Sequence, residues 1–599
     1  MHVWDLKDLN EEQEAAIAEE KSVFLVACPG SGKTRTLTYK IASELSKLKS
    51  DKQWVVAITY THRAADEIHE RIENMGVDTS RLWIGTIHSF CLEWILKPYG
   101  IYHDALKYGY RVINSHDTER LITELCAPYR YPSITYWDCS HYFTSTGVVL
   151  SCTSSKQKSV SKILEAYHAG LRENRQIDFE LILAYSYELV AQQPAISENL
   201  SSLFTCILVD EYQDTKEIQY AILASILRAG KGLVRTFIVG DPNQAIYGSL
   251  GGYAIKPAEL SSLAGIDLVE KELSLNYRSS DRIVQYFGNY NVHATKIQAA
   301  GADRDYASVI SFNPNIARDE LEAELVRLIE YNIETQGISP QEVCVLAPQW
   351  VHLASMTRRL VAALPKYSFD GPGMVPFSRD LDNFWYKLSK IVLTEASPRL
   401  YVRRQRWAAE VLAALAEAGA DTERLTRKML LKACNSIVLE EQNGLKYLEQ
   451  FFDKLFSNLE IDFTVLAVLR EHHEAFFESS RARIDRLQRE GAEFIGEIST
   501  FRKVFEGRRG ITVSTIHGVK GAEFDAVIAY ALLEGMVPNF NELNPPDAAN
   551  KLLYVICSRA RKNLHLISER GRMQAGGRGE YPATTMLSNC QFVYSNVMP

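Results

Sequence analysis

Val23-Phe24-Leu25-Val26-Ala27-Cys28-Pro29-Gly30-Ser31-Gly32-Lys33-Thr34 is the stretch on which the reading of the whole chain turns. Its first residues form a short apolar run of strand type, Gly30-Ser31-Gly32 breaks it, and Thr34 to Leu48 continues with helical periodicity. A strand that ends in a glycine-rich turn and opens a helix gathers backbone N–H groups at the positive end of a helix dipole. That arrangement cradles phosphate oxygens, with Lys33 placed to reach terminal phosphates and the Thr34 hydroxyl placed to bind Mg²⁺. Ala27 stands where a first glycine is usual, and the mechanism survives because Gly30 and Gly32 remain.

Working outward, three more apolar runs of buried-strand type occur. Trp54-Val55-Val56-Ala57-Ile58 enters the polar turn Thr59–His62, Cys206-Ile207-Leu208-Val209 stops at Asp210, and Thr236-Phe237-Ile238-Val239 leads to Asp241. Runs of this length alternating with helices predict parallel sheets covered on both faces, with chemistry outside the strands' C-terminal ends. In Asp210-Glu211-Tyr212-Gln213-Asp214-Thr215, adjacent acids after a buried strand can divide labour: Asp210 beside Mg²⁺ and Glu211 polarising an attacking water.

Length and composition set the frame for this site. The chain has 599 residues, 46% apolar and 23% charged, which suits several globular domains. A formal net charge of −8 excludes a small basic DNA-binding module but not a large motor that confines its cations to one channel. The ten cysteines are scattered without a Cys-x-x-Cys pair. No leader pattern opens the chain at Met1–Asp5, and no apolar run reaches the roughly 18 residues that span a membrane, so a reducing cytoplasm is the default expectation.

The fold class these patterns predict is α/β, with two P-loop motor domains, each a parallel sheet flanked by helices and each split by a mainly helical insertion. The predicted plan is 1–91 and 200–270 for the first motor domain, with 92–199 as its insertion. It continues with 271–396 and 509–570 for the second, 397–508 as its insertion, and 571–599 as a tail.

These boxes, taken in order, resemble the UvrD/Rep/PcrA-like branch of superfamily 1 DNA helicases, whose motor domains are RecA-like. The resemblance covers both motor domains, about half the chain by position. Leu9-Asn10-Glu11-Glu12-Gln13 is similar to the family's Q motif, which implies that Gln13 reads the adenine edge. By the same resemblance Ala27, Cys28, Pro29, Gly30, Ser31, Gly32, Lys33 and Thr34 form the ATP loop, with Thr34 and Asp210 holding Mg²⁺. Val239–Tyr247 resembles motif III, in which Gln244 senses the γ-phosphate, and Leu275–Ser279 resembles motif IV. That implies Tyr277 and Arg35 sandwiching the adenine and Arg278 as an arginine finger. Leu553–Ala560 is similar to motif VI, making Arg559 the second finger, and Thr515–Phe524 to motif V, which puts Gly521 and Glu523 at the nucleotide, Glu523 on the ribose.

Single-strand contacts are implied for Tyr60, Thr61 and His62 in Ile58–Ala65, for Thr86 and His88 in Gly85–Phe90, and for Thr515 and His517. The implied activity is ATP-dependent 3′→5′ translocation or unwinding on single-stranded or tailed duplex DNA. Departures from the family pattern favour a second class of function. After Tyr247 the chain reads Gly248-Ser249-Leu250 where an aromatic and an Arg are usual, Ser558 replaces a Thr, and both insertions are short. Tyr60, Tyr247 and Tyr253 are the rings that could stand in for the lost base stack. The alternative is a partner-bound ATPase that senses DNA or nucleotide and licenses a nuclease in an antiphage assembly, similar to the compact UvrD-like component of Gabija systems. Arg399–Arg406 and Arg508-Arg509 are basic stretches that could follow a phosphate backbone.

Overall fold

The computed structural model describes residues 9–371, 375–377, 383–489, 493–505, 510–539, 542, 544–574 and 579–596. Arg508 and Arg509 lie outside them, as does the side chain of Arg399.

Two compact units divide the chain. The first comprises Met1–Ser308, Val537–Lys562 and Thr584–Val593, the second Val309–Met536, Asn563–Ala583 and Tyr594–Pro599. The first is built on a six-stranded sheet of β1 (Ser22–Ala27), β2 (Trp54–Thr59), β3 (Leu82–Thr86), β4 (Phe204–Val209), β5 (Arg235–Gly240) and β6 (Leu268–Leu273), in the order β6-β1-β5-β4-β2-β3. All of its pairings are parallel.

Alternation along each strand fills two cores. Val23, Leu25, Val55, Ala57, Leu208 and Val239 point to one face and meet Leu37 and Ile41 of helix α2 (Lys33–Ser46) and Ile68 and Ile72 of helix α3 (His62–Asn74). Phe24, Val56, Ile58, Ile207 and Ile238 point to the other and join the core of the segment inserted between β3 and β4. Burying a side chain such as Phe24 fully contributes about 1.5–3 kcal/mol. The inserted segment is mainly helical, with helices Ser154–Glu173, Phe179–Gln192 and Pro194–Leu203, and adds an antiparallel pair His141–Thr144/Gly147–Leu150.

Helix α2, which carries the glycine-rich turn, is fixed by buried charge. Glu44 and Lys40, 1% and 2% exposed, pair at 3.2 Å, and Arg235 of β5 joins them at Glu44. Removing one member of such a group leaves an uncompensated buried charge, at a cost of about 3–5 kcal/mol. Helix α1 (Glu11–Ala18) starts with a capping box: Asn10 Oδ1 accepts the Gln13 N–H at 2.8 Å and Gln13 Oε1 accepts the Asn10 N–H at 3.1 Å. Helices α4 (Asp281–Gly288) and α5 (Pro545–Cys557) complete the part of the first unit that bears on its site.

The second unit repeats the architecture. Its six strands are β7 (Ile310–Asn313), β8 (Val343–Ala347), β9 (Phe369–Asp370), β10 (Ile511–Thr515), β11 (Phe524–Ala529) and β12 (Ala560–Ile567), in the order β7-β12-β11-β8-β10-β9. The pairings with described register are parallel. A separate helical core surrounds Trp385, whose ring lies 4.8–5.2 Å from those of Phe452, Phe456 and Phe463. Within the basic stretch Arg399–Arg406, Arg404 points inward, 4% exposed, and donates to Asn435 Oδ1 at 2.7 Å. Among the described residues no helix is long and apolar enough to cross a membrane.

Candidate functional site

Strand β1 delivers the chain into a loop that turns back on itself before α2. The Ser31 N–H and hydroxyl both donate to the Cys28 carbonyl, at 3.3 and 2.8 Å, and Cys28 N–H donates to Leu273 at 3.0 Å. Gly30 and Gly32 hold φ of +68° and +81°, the left-handed region that other residues adopt only with strain. Contact adds to conformation at Gly30, where a Cβ would lie 2.5 Å from that of Arg278. Gly32 caps α2 and has no side chain to offer the helix's first N–H groups. The turn therefore presents donors to whatever anion sits above it, with Lys33 and Thr34 half-buried beside it.

Segments distant in sequence hold this loop. Gln13 Nε2 donates to the Ser31 carbonyl at 2.9 Å, so one hydrogen of the amide expected to read adenine is spent on the loop itself. Asn276, fully buried, donates to the Pro29 carbonyl at 2.6 Å and accepts the N–H groups of Arg278 and Ser279 at 2.9 and 2.8 Å. Tyr277 N–H donates to the Gly30 carbonyl at 2.9 Å, and its hydroxyl accepts from Asn10 Nδ2 at 2.7 Å. Its ring is 43% exposed, and Arg35 is exposed on the first turn of α2, so both can meet a base in solvent.

Acids come directly after the neighbouring strands. Asp210 directly follows β4, 7% exposed, and its carboxylate accepts the Glu211 N–H at 3.0 Å. Glu211 sits at φ +51°, and its carboxylate accepts from Gln213 Nε2 at 2.5 Å. Strain of this kind in a residue that is not glycine is stored at sites where the side chain must point one way. Gln213 in turn accepts the Asp241 N–H at 3.0 Å, joining the ends of β4 and β5. Burial, then the Glu211 charge, push the Asp210 carboxyl up to about 7, against the pull of Lys33. Asp241 is also raised by burial.

A cluster of buried acids with one nearby lysine is short of positive charge. The Thr34 hydroxyl and the Asp210 carboxylate are oxygen donors of the kind Mg²⁺ takes, so the residues present fit that ion.

Gln244 stands between this cluster and an arginine. Its Nε2 donates to Asp241 Oδ2 at 2.8 Å and its Oε1 accepts from Arg559 Nη2 at 2.8 Å. Arg559, 1% exposed, also donates from Nε to the Val555 carbonyl at 3.2 Å, and Arg278 Nη1 donates to the Ser558 carbonyl at 2.9 Å. Lys33, Asp210, Glu211, Gln244, Arg278 and Arg559 thus belong to one compact unit. Asp241 and Asn276 tie that set together and were absent from the sequence-derived site. The signal for Asp241 was its place directly after a buried strand, and Asn276 sits next to the Tyr277-Arg278 pair.

The residues expected along DNA fall into two groups. In the first unit, Tyr60, Thr61, His62, Thr86 and His88 cluster at the C-terminal ends of β2 and β3. Tyr60, 45% exposed, stacks on Tyr247 with ring centroids 5.3 Å apart and planes 28° apart. His62 Nε2 lies 3.4 Å from the Thr86 hydroxyl, and Thr61 and Thr86 cap the helices that begin after them. His88 lies edge-on to Phe179, and burial pushes its ring down to about 4, which keeps it neutral. Ser249 and Leu250 form an exposed turn, and Tyr253 is held by Glu259 at 2.6 Å. In the second unit, the Thr515 hydroxyl accepts the Gly518 N–H at 3.1 Å, His517 and Gly521 are exposed, and Glu523 is half-buried.

Residues 9–254 match the model of the UvrD/REP helicase N-terminal domain, and residues 495–571 that of the UvrD-like helicase C-terminal domain. The chain is 31% identical over 298 residues to DNA helicase II of Escherichia coli, covering 47% of this chain and 39% of that protein. The same figures hold for DNA helicase II of Salmonella typhimurium, so the match spans about two fifths of these relatives' length. ATP-dependent DNA helicase PcrA of Leuconostoc citreum is 24% identical over 648 residues, covering 95% of this chain and 82% of that protein.

Proposed function

The chain belongs to the UvrD/Rep-like helicase family, and from that premise we propose that it is an ATP-driven motor that moves 3′→5′ along single-stranded DNA, with or without unwinding a duplex. One observation carries the reading: Gln244 joins the acid cluster beside the glycine-rich loop to the buried Arg559, so hydrolytic and arginine halves of a site stand together.

In this reading the loop amides and Lys33 bind the phosphates, and Tyr277 and Arg35 flank the base with Gln13 beside them. Glu211 orients the attacking water and takes its proton. Gln244, Arg278 and Arg559 stabilise negative charge as the terminal phosphate departs. Thr34 and Asp210 would hold Mg²⁺, which would supply charge neutralisation on the phosphate oxygens. The stacked Tyr60–Tyr247 pair, with Thr61, His62, Thr86 and His88 near the same strand ends of the first unit, offers a platform for unpaired bases, and Thr515 and His517 are the second unit's own candidates for single-strand contact. The seven-segment plan, two motor domains each with an insertion, is the domain organisation this reading adopts.

The exposed Ser249-Leu250 turn, which places no ring beside that platform, favours a second reading: an ATPase that senses DNA and regulates a partner nuclease. Duplexes with 3′ or 5′ single-stranded tails separate the two. DNA-stimulated hydrolysis with displacement from the 3′ tail alone supports the motor. Stimulated hydrolysis without displacement supports the regulator, and hydrolysis indifferent to DNA sinks both.

A further inference from the structure

The turn Asp241–Gln244 is tied to the helix pair α4 and α5 at two separated points. At the first, Gln244 Oε1 accepts from Arg559 and the Tyr554 hydroxyl reaches Asp241 Oδ2 at 3.4 Å. At the second, the fully buried Asn243 holds the loop immediately after α4. Its carboxamide oxygen accepts the N–H groups of Val292 and His293 at 2.9 and 2.7 Å, and its Nδ2 donates to the Asn291 carboxamide and to the His293 carbonyl at 3.0 Å.

The two helices form one packed body. Phe287 meets Tyr554 edge-on at 5.2 Å, the Ser279 hydroxyl donates to the Ala560 carbonyl at 2.6 Å, and Ser280 N–H donates to the Arg561 carbonyl at 3.0 Å. Arg278 precedes α4 and Arg559 comes just after α5, so both arginines ride on that body.

The ties differ in kind. The first uses the two groups for which a terminal phosphate competes, Gln244 and Arg559. The second is a set of bonds among uncharged groups around the buried Asn243, made to backbone at Val292 and His293 and to the Asn291 side chain. We propose that Asn243 is the fulcrum of the arginine-bearing helix pair, a positioning residue about which α4 and α5 turn when nucleotide replaces the Gln244–Arg559 bond. Of its ties to the Asp241–Gln244 turn, the Gln244–Arg559 bond is replaceable and the Asn243 set stays, so relative to that turn the body pivots at Asn243.

This inference rests on the proposed nucleotide chemistry, and its test is chosen to fail separately from it. Hydrogen exchange of the wild-type chain, with and without a non-hydrolysable ATP analogue, should show Val292 and His293 equally protected in both states and altered exchange over residues 555–561. Loss of protection at Val292 and His293 on nucleotide binding, or unaltered exchange over 555–561, overturns the fulcrum, whether or not the chain hydrolyses ATP. Asn243→Ala should lower kcat about tenfold or more while leaving the KM for ATP within about threefold, and Asn243→Asp, which keeps the acceptor for Val292 and His293, should recover part of the loss. A lower Tm with unchanged kcat would make Asn243 merely structural and overturn the proposal.

Discussion

The two parallel sheets are built alike and finished differently. In the first, strands run into Gly30–Lys33, Asp210–Glu211 and Asp241–Gln244, so the C-terminal edge collects buried acids, backbone donors and a lysine. In the second, β8 runs into Gln349 and helix Trp350–Ala363, and β11 into the fully buried Tyr530-Ala531-Leu532. Polar groups of the second sheet go inside instead: buried His565 bonds the Ser311 hydroxyl at 2.7 Å and Asn332 Nδ2 at 2.9 Å, and Asn563 donates to Asn332 at 2.9 Å. Under the proposed function, the first sheet becomes hydrolytic through the residues placed just past its strand ends, while the second sheet presents Thr515 and His517 past β10 and keeps these other polar groups inside.

The sharpest way to break this contrast is Lys33→Ala beside Thr512→Val. The first should reduce ATP hydrolysis by on the order of 10³-fold or more with Tm unchanged, because the role proposed for Lys33 is on phosphate rather than in packing. The second replaces a buried hydroxyl of β10 that has no hydrogen-bond partner among the described residues, so it should leave hydrolysis intact and raise Tm. Equal losses would erase the distinction. Next in size, Arg559→Lys keeps a charge but not the planar fork that reaches Gln244, and should lower kcat by about 10²–10³-fold in steady-state assays.

Acid tests the scaffold side. Burial pushes His565 down to about 3, so the fold holds it neutral while the unfolded chain takes up a proton below about 6.5. Its contribution is fully present above that pH and is lost as pH falls toward 3, on the order of 2 kcal/mol by pH 5. Denaturant midpoints should fall accordingly, and His565→Gln should flatten the dependence. Smallest is Tyr60→Ala, expected to weaken single-strand binding by about tenfold, as loss of one stacked base does. Tyr253→Phe should not weaken it, because that hydroxyl is occupied by Glu259.

Much of the first sheet's edge was legible because its chemistry is written in contiguous residues. A strand, two glycines and a lysine spell out the strand–turn–helix of the proposed phosphate loop within a dozen positions, and Asp-Glu after an apolar run reports its own location. The contacts that hold those boxes are not contiguous. Asn276 bonding the Pro29 carbonyl, Gln13 bonding Ser31, and Asn243 bonding a loop about fifty residues on are contacts that no spacing announces. Arg404 was hidden for the opposite reason: a basic run reads as surface, yet its place on helix Tyr401–Glu417 turns that one guanidinium inward. The inward polar network around His565 gave no sequence signal, since one histidine in the apolar run Leu564–Ile567 looks the same whether or not distant Asn332 meets it.

The central claim is that Gln244 and Arg559 act as one device at the site of hydrolysis. A double-mutant cycle on the single-turnover rate of ATP hydrolysis tests it directly, using Gln244→Ala, Arg559→Lys and the pair. The account predicts strong non-additivity, with the double variant no slower than the slower single variant within about threefold. Losses that multiply would show two residues acting independently and would contradict it.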